Sequence, residues 1–386
     1  MNRRALLGLA AGAVGSLGRP SIARAARDHE GLRSSVGPSR APYAMQGGDA
    51  RRSRSTRIVL SASPQVGRRL RVALGIGRGL VTHEDGGFFV LHPSPRASRF
   101  DAQGKLVFSL KLPSEASSAA VVLSGGQVAF CSAGELWLVD ANGQPQTRTP
   151  LGDAELTARS ALGTRDGGVL LANGSLLLKV SGFGDLSWQK KAPAPVADLL
   201  ETSVGEVCVT AAGLISRLDA TGRPTRLGDL GGPSSSITAG AFGTELVARS
   251  GSHRLVTFDL AQRRVRSAVE DAALDLDGPV LLDREGTLSA FTSDGLLLRY
   301  HHDGTESQRV PVDPGARRAP GPDDALLLGD GRLLLARAGA DAALVTPSGD
   351  VSFIPGSACP DPIGLFPAGS RSVLLGCRSG GLIELR

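Results

Sequence analysis

The 386-residue chain carries 43 Lys plus Arg against 37 Asp plus Glu, a formal charge of +6, with 41% apolar residues, 4% aromatics and 51 Gly. That apolar fraction excludes a disordered chain. No apolar run reaches the ~18 residues a membrane-spanning helix needs, so no membrane span is expected.

Residues 1–25 read as an export signal. Arg3-Arg4 precede an apolar stretch from Ala5 to Leu17, and Ala23-Arg24-Ala25 gives a small-x-small cleavage pattern. Arg3-Arg4-Ala5-Leu6-Leu7 is similar to a twin-arginine signal, and an ordinary secretory signal is the alternative. No Cys precedes Cys131, so no lipoprotein attachment is expected. The expected location is periplasmic or secreted. Residues 26–67 are rich in Arg, Ser, Gly and Pro without apolar periodicity, and read as a mobile tail or linker.

From residue 68 the chain repeats. Turn positions 104, 143, 184, 222, 262, 304 and 349 are spaced by 39, 41, 38, 40, 42 and 45 residues. A period near 40 in strand-rich sequence marks propeller blades. Asp-x-x-Gly, as in Asp101–Gly104 and Asp219–Gly222, suits a tight hairpin: Asp bonds the turn backbone and Gly accepts positive φ. Each unit holds four short strands; in the second they are Ala119–Leu123, Gln127–Ser132, Glu135–Asp140 and Pro145–Thr149. Continuous apolar strands such as Leu333-Leu334-Leu335 fit sheets covered on both faces.

Seven hairpins give seven units, and three more strands follow at 363–386. A free strand at Arg69–Leu74 supplies the missing fourth. The reading for 68–386 is therefore an all-β, eight-bladed β-propeller of four-stranded blades, closed by an N-terminal "Velcro" strand. Seven blades is the second choice.

The segment Pro42…Gly48-Asp49…Arg51 and the repeat ends Leu218-Asp219-Ala220-Thr221-Gly222, Leu138-Val139-Asp140-Ala141-Asn142-Gly143 and Gly184…Trp188 resemble the PQQ-like (quinoprotein-type) β-propeller repeat family. The resemblance covers most of 69–386 in degraded copies. Its enzymatic members hold PQQ and Ca²⁺ over the ring axis and many carry a vicinal disulfide. Here no Cys-Cys pair occurs and most repeat-ending Trp are missing. The resemblance therefore implies a non-enzymatic periplasmic member with neither PQQ nor Ca²⁺.

Local chemistry is sparse. Asp275-Leu276-Asp277-Gly278 reads as a solvated turn rather than a cation loop, which needs more oxygen ligands. His301 and His302 are adjacent on a strand and point to opposite faces, so they do not share a metal. Gly75–Gly79 leads into a strand, not the helix a dinucleotide fingerprint requires. No catalytic residue is assigned. If the first strand of the last blade is innermost, Cys359 and Cys377 lie at one rim, and a disulfide between them is expected. Cys131 and Cys208 are read as buried hydrophobes.

The longest inter-unit loop, 312–324, carries Arg317 and Arg318 at its tip, the candidate partner-binding residues; a tolerated surface insertion is the plainer reading. The expected function is a monomeric, non-catalytic scaffold whose loop face binds a protein or envelope polymer. The alternative is an enzyme using the central funnel: a degenerate PQQ-dependent dehydrogenase, a lyase or a hydrolase. Charge separates a third idea. Residues 1–25 hold four Arg, and 26–57 hold seven Arg and three acids, leaving 32 basic and 34 acidic residues from 58 on. The repeat region is near neutral, which gives nucleic-acid binding no support.

Overall fold

The computed structural model describes residues 45, 48–49, 51–151, 161–240, 242–313 and 319–386. They form eight sheets, each of four antiparallel strands. Blades 1–7 span 79–111, 121–150, 161–191, 196–229, 234–270, 276–311 and 325–353, with strands paired in chain order. Blade 8 takes its first three strands from Pro362–Ala368, Ser372–Cys377 and Gly381–Leu385. Its fourth is Val66–Arg71, which pairs antiparallel with Gly381–Leu385 through Val66↔Leu385, Leu70↔Leu382 and Arg71↔Gly381. The ring is thus closed by its amino-terminal strand and has eight blades, not seven. The closing strand starts three residues earlier than the sequence pattern placed it. The pairing register shifts between Val66 and Arg69.

First strands of neighbouring blades run side by side and make the inner wall. Second and third strands are buried along their length, as in Val128–Ser132 and Leu333–Leu335, because both faces meet a neighbouring blade. Fourth strands alternate, as in Leu106–Lys111 and Val66–Arg71, because one face meets solvent.

The hairpin between third and fourth strands also sets blade spacing. Asp101 Oδ1 accepts the N–H groups of Gln103 (2.9 Å) and Lys105 (2.8 Å), and Asp219 Oδ1 does the same for Thr221 and Arg223. Gly222 has φ +77°, and a Cβ there would lie 2.4 Å from the Trp188 ring on the outer strand of blade 3. Glycine is thus required twice, for its backbone and for the approach of the indole. Gly104 meets Leu70 of the closing strand in the same way. Gly222→Val is expected to destabilise the ring by roughly 2–4 kcal/mol, combining overpacking with left-handed strain. A shifted denaturant midpoint at unchanged slope is the check.

Candidate functional site

The ring axis is where a propeller offers a funnel, and here the chain itself runs through it. Met45 bridges Val121 on the inner strand of blade 2. Asp49 then closes a turn: Oδ1 accepts the N–H groups of Arg51 and Ser53 (3.0 Å each) and Oδ2 accepts the Ser53 hydroxyl (2.8 Å). The Ala239 N–H donates to Arg51 O (2.8 Å) and the Thr238 hydroxyl to Arg52 O (2.8 Å), both from blade 5. Ser55 pairs in parallel with Leu327 of blade 7. There the N–H groups of Thr56, Leu327 and Gly329 bond Leu327 O, Arg54 O and Ile58 O at 2.8–2.9 Å. Ile58 and Leu60 end the crossing, buried among side chains of blades 7 and 8. A segment that touches the inner strands of blades on opposite sides must cross the middle.

This corrects the reading of 26–67 as a mobile tail at residues 45, 48–49 and 51–60. The reason is chemical. The inner wall presents backbone carbonyls and the Asp198 carboxylate, and arginine satisfies several acceptors at once. Arg52, 3% exposed, donates from Nε to Asp198 Oδ1 (3.3 Å) and from Nη2 to Ala161 O (2.9 Å). Asp198 also accepts the Leu199 N–H (2.8 Å). Arg54 donates to Pro322 O (2.6 Å) and Arg52 O (3.1 Å) and reaches Val280 O. Arg52 (φ 55°), Arg54 (φ 48°) and Ser236 (φ 47°) all hold left-handed backbone at this crossing. For non-glycine residues that conformation costs about 1–3 kcal/mol each and persists only when the surroundings impose it.

Arg317 and Arg318 lie outside the described residues, as do Arg3, Arg4, Ala23 and Ala25. The feet of the 312–324 loop are fixed: Asp313 pairs with Arg337 (2.6 Å), Asp324 accepts the Gly321 N–H (2.7 Å), and the Leu365 N–H donates to Asp323 O (2.8 Å). Cys359 and Cys377 are joined as a disulfide, with Cα atoms 5.9 Å apart. Cys131 and Cys208 are free and buried, and desolvation pushes their thiols up to about 12 and about 11. They are poor nucleophiles in this setting.

Asp275 and Asp277 are engaged by protein donors, Asp275 Oδ2 by the Ser293 hydroxyl (2.6 Å) and Asp277 Oδ1 by Arg249 (2.7 Å). Among the described residues, no group of three His, Cys, Asp or Glu side chains is arranged to hold a metal ion. His83 is buried at the end of the first strand of blade 1. Desolvation, aided by Arg99, pulls its pKa down to about 4, so the ring is neutral at physiological pH.

A second recess has no counterpart in the sequence reading. Between blades 6 and 7 a cleft of about 540 Å³ opens, walled on its inner side by Ser53, Ser55 and Thr56 of the crossing segment. Arg299, Gln308 and Ser289 line it from blade 6.

The fold defines the class: this chain is an eight-bladed β-propeller. No family model and no curated sequence matches it. Among solved structures it is similar to BamB from Moraxella catarrhalis, at TM-score 0.64 and 14% identity over 84% of this chain and 99% of that one. It is also similar to the computationally designed Ika8 protein (TM-score 0.64, 13% identity, 82% and 98% covered). Virginiamycin B lyase from Staphylococcus aureus follows (TM-score 0.51, 14% identity, 70% and 94% covered). At these identities the likeness is one of fold.

Proposed function

We propose that the chain is an exported, non-catalytic interaction scaffold, a degraded PQQ-like propeller that works in the periplasm or outside the cell without PQQ or Ca²⁺. The observation that carries this reading is the occupied axis. The funnel an axial enzyme needs holds residues 48–49 and 51–60, and its converging Arg52, Arg54 and Asp198 are bonded to the ring and to each other. Binding is then left to the loops on a rigid frame. The likeness to BamB and the Cys359–Cys377 disulfide, which suits an oxidising compartment, support the same reading.

The partner is proposed to be a protein docking on the face that carries the 312–324 loop, with Arg317 and Arg318 pairing its carboxylates. Photo-crosslinking residues placed in the inter-blade loops of that face, in the native envelope, are expected to trap one reproducible partner. Replacing Arg317 and Arg318 with Ser is expected to weaken that crosslink. Equal trapping from every face, or none from any, would contradict the assignment.

Export has its own test. Arg3→Lys together with Arg4→Lys is expected to leave an uncleaved precursor in the cytoplasm, because twin-arginine transport reads the pair itself. Processing at the wild-type rate would point to the general secretory route.

A further inference from the structure

Strand register reveals why blades 6 and 7 part. In each blade, one second-strand residue lies opposite the penultimate residue of the third strand. These positions are Phe89, Ala129, Leu170, Val207, Leu246, Leu334 and Leu374 in seven blades and Ser289 in blade 6. Phe89 shows what the position does: its ring packs 5.7 Å from Phe130 of the next blade. The fourth-strand neighbour is Phe108 in blade 1, Trp188 in blade 3 and Gln308 in blade 6. Blade 6 thus carries polar side chains at both positions, and Ser289 and Gln308 both line the cleft.

The residue between them is a cation in blades 1, 3, 4 and 6, and Arg217 of blade 4 is exposed. Arg99 is paired with Asp85, and Lys179 with Asp166 and Glu206. Arg299 differs. It is 6% exposed, and the two N–H bonds of its Nη1 are shared among three neutral oxygens, Gln308 Oε1, Thr346 O and Pro347 O, each at 2.8 Å. Among the described residues no carboxylate lies within ion-pair distance of it. The nearby Asp283 has its Oδ1 occupied by the N–H groups of Glu285 (2.9 Å) and Thr287 (2.7 Å). Arg299 thus makes no direct ion pair, Asp283 being the carboxylate whose charge acts on it, and it lines a cleft wide enough for a small ligand that is also lined by Arg284, Asp283, Glu285 and Asp330.

We propose that the cleft between blades 6 and 7 is a binding site for an acidic saccharide, whose carboxylate meets Arg299 and whose hydroxyls meet the hydroxyl and amide wall. The volume falls in the ~300–1,000 Å³ range of small-molecule sites. Ser53, Ser55, Thr56, Ser289 and Gln308 supply donors and acceptors together, which suits sugar hydroxyls. Leu282, Leu327 and Pro347 offer apolar surface for the sugar C–H groups. The cleft opens among the loops that join first to second and third to fourth strands, the face opposite the 312–324 loop. The assignment does not rest on the scaffold reading.

The test uses the mature full chain and titration calorimetry with digalacturonic acid. Binding that falls with added salt is expected, at least tenfold weaker for the neutral methyl-esterified disaccharide, because a charge-assisted hydrogen bond is lost. Ser289→Leu restores the apolar residue seven blades carry and leaves Arg299 in place. It is expected to fold normally and to weaken binding at least tenfold. Arg299→Lys keeps the charge, loses the planar fork, and is expected to bind several-fold more weakly. The proposal is overturned if no binding of digalacturonic acid is found, if Ser289→Leu binds like wild type, or if the neutral disaccharide binds equally. It is also overturned if N-acetyl-Glu-Glu binds with the same Arg299 dependence while the uronate does not.

Discussion

Replacing Arg52 with Ala is expected to destabilise the ring by about 3–5 kcal/mol, the range seen when one member of a buried ion pair is removed. Its side chain is 3% exposed and that of Asp198 12%. Losing the guanidinium leaves Asp198 without its cation and Ala161 O without its donor. It also loosens a segment held to the inner strands of blades 5 and 7 by backbone bonds. Equilibrium urea unfolding of the mature chain measures the effect. Adding Asp198→Asn is expected to recover part of the loss, since the uncompensated charge goes with it. A purely surface arginine would cost less than 1 kcal/mol and show no such coupling.

The second large effect is expected at the seam. Cys359 and Cys377 are separated by 18 positions, and cross-linking a loop of that length stabilises by about 2–4 kcal/mol. The bridge holds the entry to blade 8. The Gly339 N–H of blade 7 donates to Cys359 O (2.7 Å), and the Gly380 N–H donates to Cys377 O (2.8 Å). Gly380 O in turn accepts the N–H of Val72, just past the closing strand (2.8 Å). Ala at both positions is expected to lower stability by that amount, measured by denaturant unfolding. Dithiothreitol is expected to destabilise the wild type and leave the double variant unchanged. An identical midpoint for wild type and double variant would show that the bridge contributes nothing.

The ring was legible in the sequence because its turns are chemically distinctive. Asp101, Asp140 and Asp219 bond their own turn backbones, and the glycines that follow take positive φ, so each hairpin announces itself. The buried second and third strands were equally plain, since apolar runs such as Val169–Asn173 have no other reading in so short a segment. The axial crossing was not legible. Arg51-Arg52-Ser53-Arg54-Ser55 looks like a solvated stretch, and nothing local says that carbonyls and Asp198 from distant blades will surround it. The cleft was hidden for a different reason. Ser289 is unremarkable within Leu288-Ser289-Ala290 and stands out only when register aligns it with Phe89 and Leu170. Both features arise from contacts between blades, whereas periodicity reports contacts within them.

The axis is filled by the chain's own segment that precedes the closing strand. Amide hydrogen exchange of the mature protein tests that most directly, at Ala239, Leu327 and Gly329, whose N–H groups donate to Arg51, Arg54 and Ile58. Protection comparable to that of second-strand amides such as Val128 and Leu334 is the predicted result. Rapid exchange at all three, with the blades themselves protected, would mean an open funnel and would contradict the account.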